Sequence, residues 1–134
     1  MTAIVCIDAS GGMLFGGRRQ SQDSKVTERI AGLCQGRRLW MHPYSYPLYG
    51  KLSGVWTQAA EDFLSRAGAE DVCLVEMGLL APFLPNIEEI IVFCWNRRYP
   101  ADVFLDVDVT AWKKVAEREF SGTSHERITE RVYR

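Results

Sequence analysis

The chain lacks a charge of one sign. Sixteen Lys and Arg face seventeen Asp and Glu, a net charge of −1 over 134 residues. That balance removes the global field that draws a protein to nucleic acid or to an anionic membrane, so any such contact needs a local patch. It also lacks an apolar run near the ~20 residues that span a bilayer. No basic N-terminal segment leads into a long apolar stretch, so neither a signal peptide nor membrane association is expected, and the expected location is cytoplasmic. Cysteine is sparse: Cys6, Cys34, Cys73 and Cys94 stand singly on apolar segments. Without paired spacing they form neither a zinc motif nor a disulfide scaffold, and they read as buried thiols. Histidine is sparser still. His42 and His125 fit no metal motif, and the H-x-H-x-D-H run of a metallo-hydrolase is absent, so no metal is expected. Each reads as a capping or turn residue, an acid–base pair of hydrolase or nuclease type being the alternative.

What is present is ordinary for a globular protein: 47% hydrophobic and 25% charged residues, in a length that suits one domain over residues 1–134. Such a chain buries roughly two-thirds of its unfolded surface and needs no covalent staple. Apolar runs alternate with helix-like stretches, the pattern of a mostly parallel sheet covered on both faces. A first strand is expected at residues 4–7. Asp23 or Ser24 can cap a helix reaching about Cys34, with Val26, Ile30 and Leu33 at helical spacing and Gly36 as terminator. Residues 38–41 form a second strand, and Pro43 and Pro47 limit the next stretch to a loop or single turn. A third strand at 55–57 leads into a helix capped by Thr57 and stopped by Gly68. Residues 72–75 read as a buried strand, 78–83 as a short apolar helix ended by Pro85, and 89–95 as the longest β-rich run, extendable to Arg98. Residues 103–107, 112–120 and 128–133 complete the chain, the last two as antiparallel strands joined by Ser121-Gly122-Thr123-Ser124.

The opening, Ala3-Ile4-Val5-Cys6-Ile7-Asp8 followed by Gly11-Gly12-Met13-Leu14-Phe15-Gly16-Gly17-Arg18-Arg19-Gln20, resembles the start of a dihydrofolate reductase. There a buried strand ends in an acidic residue, and a mobile G-I-G-x-x-G-x-L-P-W loop closes over substrate and nicotinamide. Gly36-Arg37-Arg38-Leu39-Trp40-Met41 resembles the family's G-K-P-V-V-M-G strand, and Asp71-Val72-Cys73-Leu74-Val75-Glu76 stands where it has E-I-F-V-I-G-G. The segments from Gly54 to Leu64, Leu80 to Pro85 and Glu88 to Phe104, with Asp102, and then Trp112 to Val115 and Arg131 to Arg134, follow in matching order. Order and spacing carry the likeness more than any one motif. It implies an α/β, single-domain dihydrofolate-reductase-like fold, with a mostly parallel central β-sheet flanked by helices and an antiparallel C-terminal hairpin.

The positions that carry the family's chemistry have changed. The loop's leucine, proline and tryptophan are Arg19, Gln20 and Ser21, and the helix carboxylic acid that assists protonation falls at Val26. Asp23 and Glu28 lie nearby but point elsewhere on a helix. The supporting strand threonine is Phe93, and the glycine pair against the nicotinamide is Glu76-Met77. His42-Pro43-Tyr44-Ser45-Tyr46 replaces the G-R-x-T-x-x-S phosphate motif, and Gly50 to Gly54 leaves almost no spacer. The resemblance therefore implies a scaffold without NADPH, hence no cofactor.

A polar set remains for the carboxyl ends of the strands, where open sheets of this kind bind ligands. Its candidates are Arg18, Arg19, Gln20, Ser21, Asp23, Tyr44, Ser45 and Glu76. Arg18 and Arg19 together would grip a phosphate or carboxylate; alternatively Glu76 pairs with one of them and locks the loop. A weaker cluster, Trp95, Arg97, Arg98 and Tyr99, interleaves aromatic and basic groups as single-stranded nucleic-acid sites do, or else forms an edge-strand surface with a stacked arginine. The leading expectation is a divergent protein of this fold that binds a small anionic, nucleotide-like ligand or a protein partner. An oxidoreductase with a repositioned acid, and a nucleic-acid-binding or nuclease-type protein, are the alternatives.

Overall fold

The computed structural model describes residues 1–134. In chain order its elements are β1 (Thr2–Ile7), β2 (Gly12–Phe15), β3 (Arg18–Arg19), α1 (Ser24–Leu33), β4 (Arg38–Met41), α2 (Tyr46–Tyr49), β5 (Trp56–Ala59), α3 (Phe63–Arg66), β6 (Val72–Leu74), β7 (Glu89–Cys94), β8 (Val103–Phe104), β9 (Lys114–Phe120) and β10 (Ile128–Tyr133). Short 3₁₀ turns occupy Ala81–Asn86 and Val109–Ala111. No helix is long and apolar enough to cross a membrane.

Seven strands pair in the order β5-β4-β6-β1-β7-β10-β9. The first five run parallel, and β10 turns back antiparallel between β7 and β9. The register explains the unbroken apolar runs. Along β1, Ala3 and Val5 face one core and Ile4 the other; along β7, Ile90 and Val92 face the first, while Ile91 and Phe93 face the second. Strands buried on both faces have no polar side to show, so alternation disappears from the sequence. The second core is closed by Val26 and Ile30 of α1 and by Tyr49 of α2. The first is closed by Phe63 and Leu64 of α3, by Leu80, and by Met13 and Leu14 of a small second sheet ordered β3-β2-β8.

Several boundaries differ from the sequence expectation. Thr57 does not cap a helix: Trp56–Ala59 pairs along the whole of β4, and the Thr57 hydroxyl donates instead to the Gly50 carbonyl. The helix after it shrinks to Phe63–Arg66. The apolar turn expected at 78–83 lies at Ala81–Asn86, with Pro85 inside it. A 3₁₀ turn suits this proline-rich stretch, because few of its amides are committed to a ladder. β7 stops at Cys94 because Asn96 takes φ +60 and turns the chain away. The run at 103–107 contributes only Val103–Phe104, and to the small sheet rather than the large one.

Phe93 is fully buried in the second core, against α1. Phe93→Ala should lower unfolding free energy by about 3–5 kcal/mol in urea titrations with an unchanged m-value.

Candidate functional site

The hairpin of β2 and β3 decides which arginine turns inward at the carboxyl ends of the strands. Phe15 pairs with Arg18 and Leu14 with Arg19 across Gly16-Gly17, both with positive φ, as a two-residue turn of this hand requires. Directly opposed residues share a face. Leu14 is buried, so Arg19 points inward with it; Phe15 is exposed, so Arg18 points outward with it. The two arginines therefore cannot close on one anion.

Inside, Arg19 meets Glu76, which follows β6 at the carboxyl end of the sheet. Nε lies 2.8 Å from Oε2 and the terminal nitrogen 2.9 Å from Oε1, a bidentate pair. The Ser45 hydroxyl donates to Oε1 at 2.8 Å, and the Arg19 backbone N–H donates to the Tyr44 hydroxyl at 2.8 Å. The guanidinium also lies over the Tyr44 ring, 4.8 Å from its centroid. The hydrogen bonds it donates to Glu76 raise the Arg19 pKa above its usual value, outweighing burial. Beneath the pair, burial first and the Glu76 charge second push the Cys6 thiol far up. Burial likewise raises Cys34 to about 11 and Cys73 to about 12. No thiol here is poised as a nucleophile.

Gln20 belongs to a neighbouring arrangement centred on Asp8, the acid that ends β1. Asp8 accepts from the backbone N–H groups of Ser10, Gly12 and Tyr99 and from the Gln20 amide. Burial alone would raise its pKa, but these donors outweigh it and bring the carboxyl down to about 2. The Gln20 amide also donates to the Pro100 carbonyl, leaving its own oxygen buried without a partner. Turning the amide over would set that oxygen against two acceptors, so the orphan is the lesser cost.

Ser21 and Asp23 join a third arrangement, with a residue 102 positions from Asp23. Asp23 caps α1 through the Lys25 N–H at 2.9 Å. It also accepts from the Thr123 and Ser124 N–H groups at 3.0 and 2.9 Å, and from His125 Nδ1 at 2.9 Å. Gly122 lies so close to this carboxylate that a Cβ there would collide with it. Burial would raise the Asp23 pKa, but the Thr123 amide, the imidazole and the Ser124 and Lys25 amides hold it far below the usual range. On the other edge of the ring, His125 Nε2 lies 2.9 Å from the Ser21 hydroxyl and 3.1 Å from that of Tyr99. Trp95 stacks on the imidazole, with centroids 4.7 Å apart.

The polar set named from the sequence thus separates into an Arg19–Tyr44–Ser45–Glu76 clamp, an Asp8–Gln20 turn and a Ser21–Asp23–His125 cluster. Arg18 stands apart on the surface. The Trp95, Arg97, Arg98 and Tyr99 cluster does not present one face either. Trp95 is buried under His125 and Tyr99 is tied to Asp8, which leaves only the two arginines exposed. His42 is a turn residue, its Nδ1 accepting from the Tyr44 N–H. His125 is neither cap nor surface turn, and its partnership with Asp23 has no local sequence signal. No group of three His, Cys, Asp or Glu side chains converges as a metal site would require.

Asp8 and Asp23 make stability depend on acid. Their folded pKa values lie below the unfolded one, so their contribution is full above about pH 4 and is lost as pH falls towards the folded values. Urea unfolding should show the loss beginning below about pH 4, with Asp8 alone supplying about 2 kcal/mol of it from its shift to about 2. Asp8→Asn should remove that share of the slope.

No protein-family model matches the chain, and no curated protein matches it. Among solved structures it is similar to a dihydrofolate reductase from Enterococcus faecalis, determined in complex with NADP(H) and RAB-propyl. The alignment covers 98% of this chain and 94% of that one at 15% identity, with a TM-score of 0.68. The likeness is one of architecture: the chain has the dihydrofolate-reductase-like fold.

Proposed function

We propose that the chain binds a small anionic, nucleotide-like ligand at the carboxyl end of its sheet and does not carry out NADPH-dependent reduction. The observation that supports this is the Arg19 clamp. A guanidinium is held over the Tyr44 ring and matched by a planar two-oxygen anion that the chain itself supplies at the strand ends. A ligand carboxylate or phosphate presents the same geometry. Glu76 is then the resident counter-ion that a ligand displaces, and the buried Ser45 hydroxyl is the second donor. Only one arginine takes part, because Arg18 faces away.

The same residues fit a nicotinamide dinucleotide poorly. Glu76 brings a side chain and a charge to the end of β6, where the resemblance puts a pair of glycines. Val26, at the position of the family's acid, is apolar and fully buried. A different reading follows from the completeness of the clamp: Glu76 already takes three donors, as a purely structural lock would.

Thermal-shift titrations with orthophosphate, a nucleoside monophosphate and NADPH separate these readings in the parent protein, Glu76→Gln and Arg19→Ala. The monophosphate should raise the midpoint, bind about tenfold tighter (about 1.4 kcal/mol) to Glu76→Gln, and have no effect on Arg19→Ala. Arg19→Ala should also lose about 3 kcal/mol of stability, since it strands a largely buried carboxylate. That loss with no anion response in any variant would assign the lock. A large NADPH shift would overturn the proposal outright.

A further inference from the structure

Ser21, His125 and Asp23 form a chain of hydrogen bonds that neither the clamp nor the fold requires in full. The ionised Asp23 can only accept, so Nδ1 carries the proton on that edge of the ring, and in the neutral imidazole Nε2 offers its lone pair on the opposite edge, to the hydroxyls of Ser21 and Tyr99. That lone pair meets the Ser21 hydroxyl at 2.9 Å. The ring is fixed by the Asp23 bond and by the stacked Trp95, while Asp23 is itself fixed by three backbone amides. Tying α1 to the 121–127 loop needs only the Asp23 side of this assembly. A half-buried serine on the far side adds little to that tie, yet it completes an oriented nucleophile–base–acid series.

We propose that Ser21, His125 and Asp23 support acyl transfer from a small uncharged carboxylic ester, a capacity that does not rest on the anion-binding reading. Ser21 Oγ attacks the carbonyl carbon as its proton passes to His125 Nε2, and a C–O bond forms. The bond to the leaving alkoxide then breaks, and Nε2 gives the alkoxide that proton. Water repeats the sequence on the acyl-serine, releasing the carboxylic acid and restoring the hydroxyl. Asp23 remains ionised and holds the tautomer. The substrate class follows from the charges around the series. It ends in the ionised Asp23, and the neighbouring groove of about 590 Å³, which Asp23 and Ser124 line and Ser21 and His125 do not, adds Glu28 and no cation. An anionic ester meets like charges there, and a neutral one does not.

The test combines a fluorophosphonate probe, its adduct located by peptide mass spectrometry, with hydrolysis of p-nitrophenyl acetate. The expected result is one adduct, on Ser21 of the folded parent. Labelling and hydrolysis should both fall at least about 100-fold in Ser21→Ala, with its unfolding midpoint unchanged. Because adduct mapping uses the parent protein, it decides the matter even if a variant is unstable. Absence of an adduct on Ser21, or hydrolysis that persists in folded Ser21→Ala, overturns the proposal.

Discussion

The carboxylate of Asp23 is the constraint on which the cleft end of the molecule depends. One side chain starts α1, holds the loop between β9 and β10, and orients His125 within that loop, so two segments about a hundred residues apart meet at two oxygens. Burying a charge so completely is tolerable only when nearly every lone pair is taken, and here each oxygen has more than one donor. The glycine at 122 belongs to the same requirement, since backbone must approach where no side chain fits. Neutralising Asp23 would therefore loosen the helix start, the loop and the imidazole together.

The second organising interaction lies across the strand ends. Arg19 and Glu76 fill with their own charges the space where open sheets usually leave room for a ligand. Such a pair contributes little net stability after desolvation, but breaking it on one side is costly. The molecule thus shares an architecture with a reductase, and an arginine–glutamate ion pair occupies the ends of its strands. A shared fold does not carry a shared function with it, and 15% identity over 98% of the chain speaks for the fold alone.

The fold was legible where burial leaves a strong mark. Arg38–Met41 and Ile128–Tyr133 lie where the apolar pattern puts them, and Asp23 caps α1 as its position beside Ser24 suggests. Boundaries failed where a long-range pairing competes with a local signal: Thr57 looks like a helix cap until β4 claims the segment. At the site, the Arg19–Glu76 pairing could be named as one of two outcomes, because charge complementarity is readable from composition. That Arg18 takes no part was not readable without the hairpin register. His125 stayed hidden for a different reason. Ser21 and Asp23, which hold its two edges, lie about a hundred residues away, and one-dimensional spacing carries no trace of them.

The two-glycine turn between β2 and β3 has a further consequence. Strand faces alternate with every residue, so the length of that turn works as a parity switch. With Gly16-Gly17 the inward side chain is Arg19. One additional residue would reverse the parity and present Arg18 to Glu76, leaving Arg19 and its bond to Tyr44 on the outside. The polarity of the cleft is thus set by an even number in a loop that touches none of it.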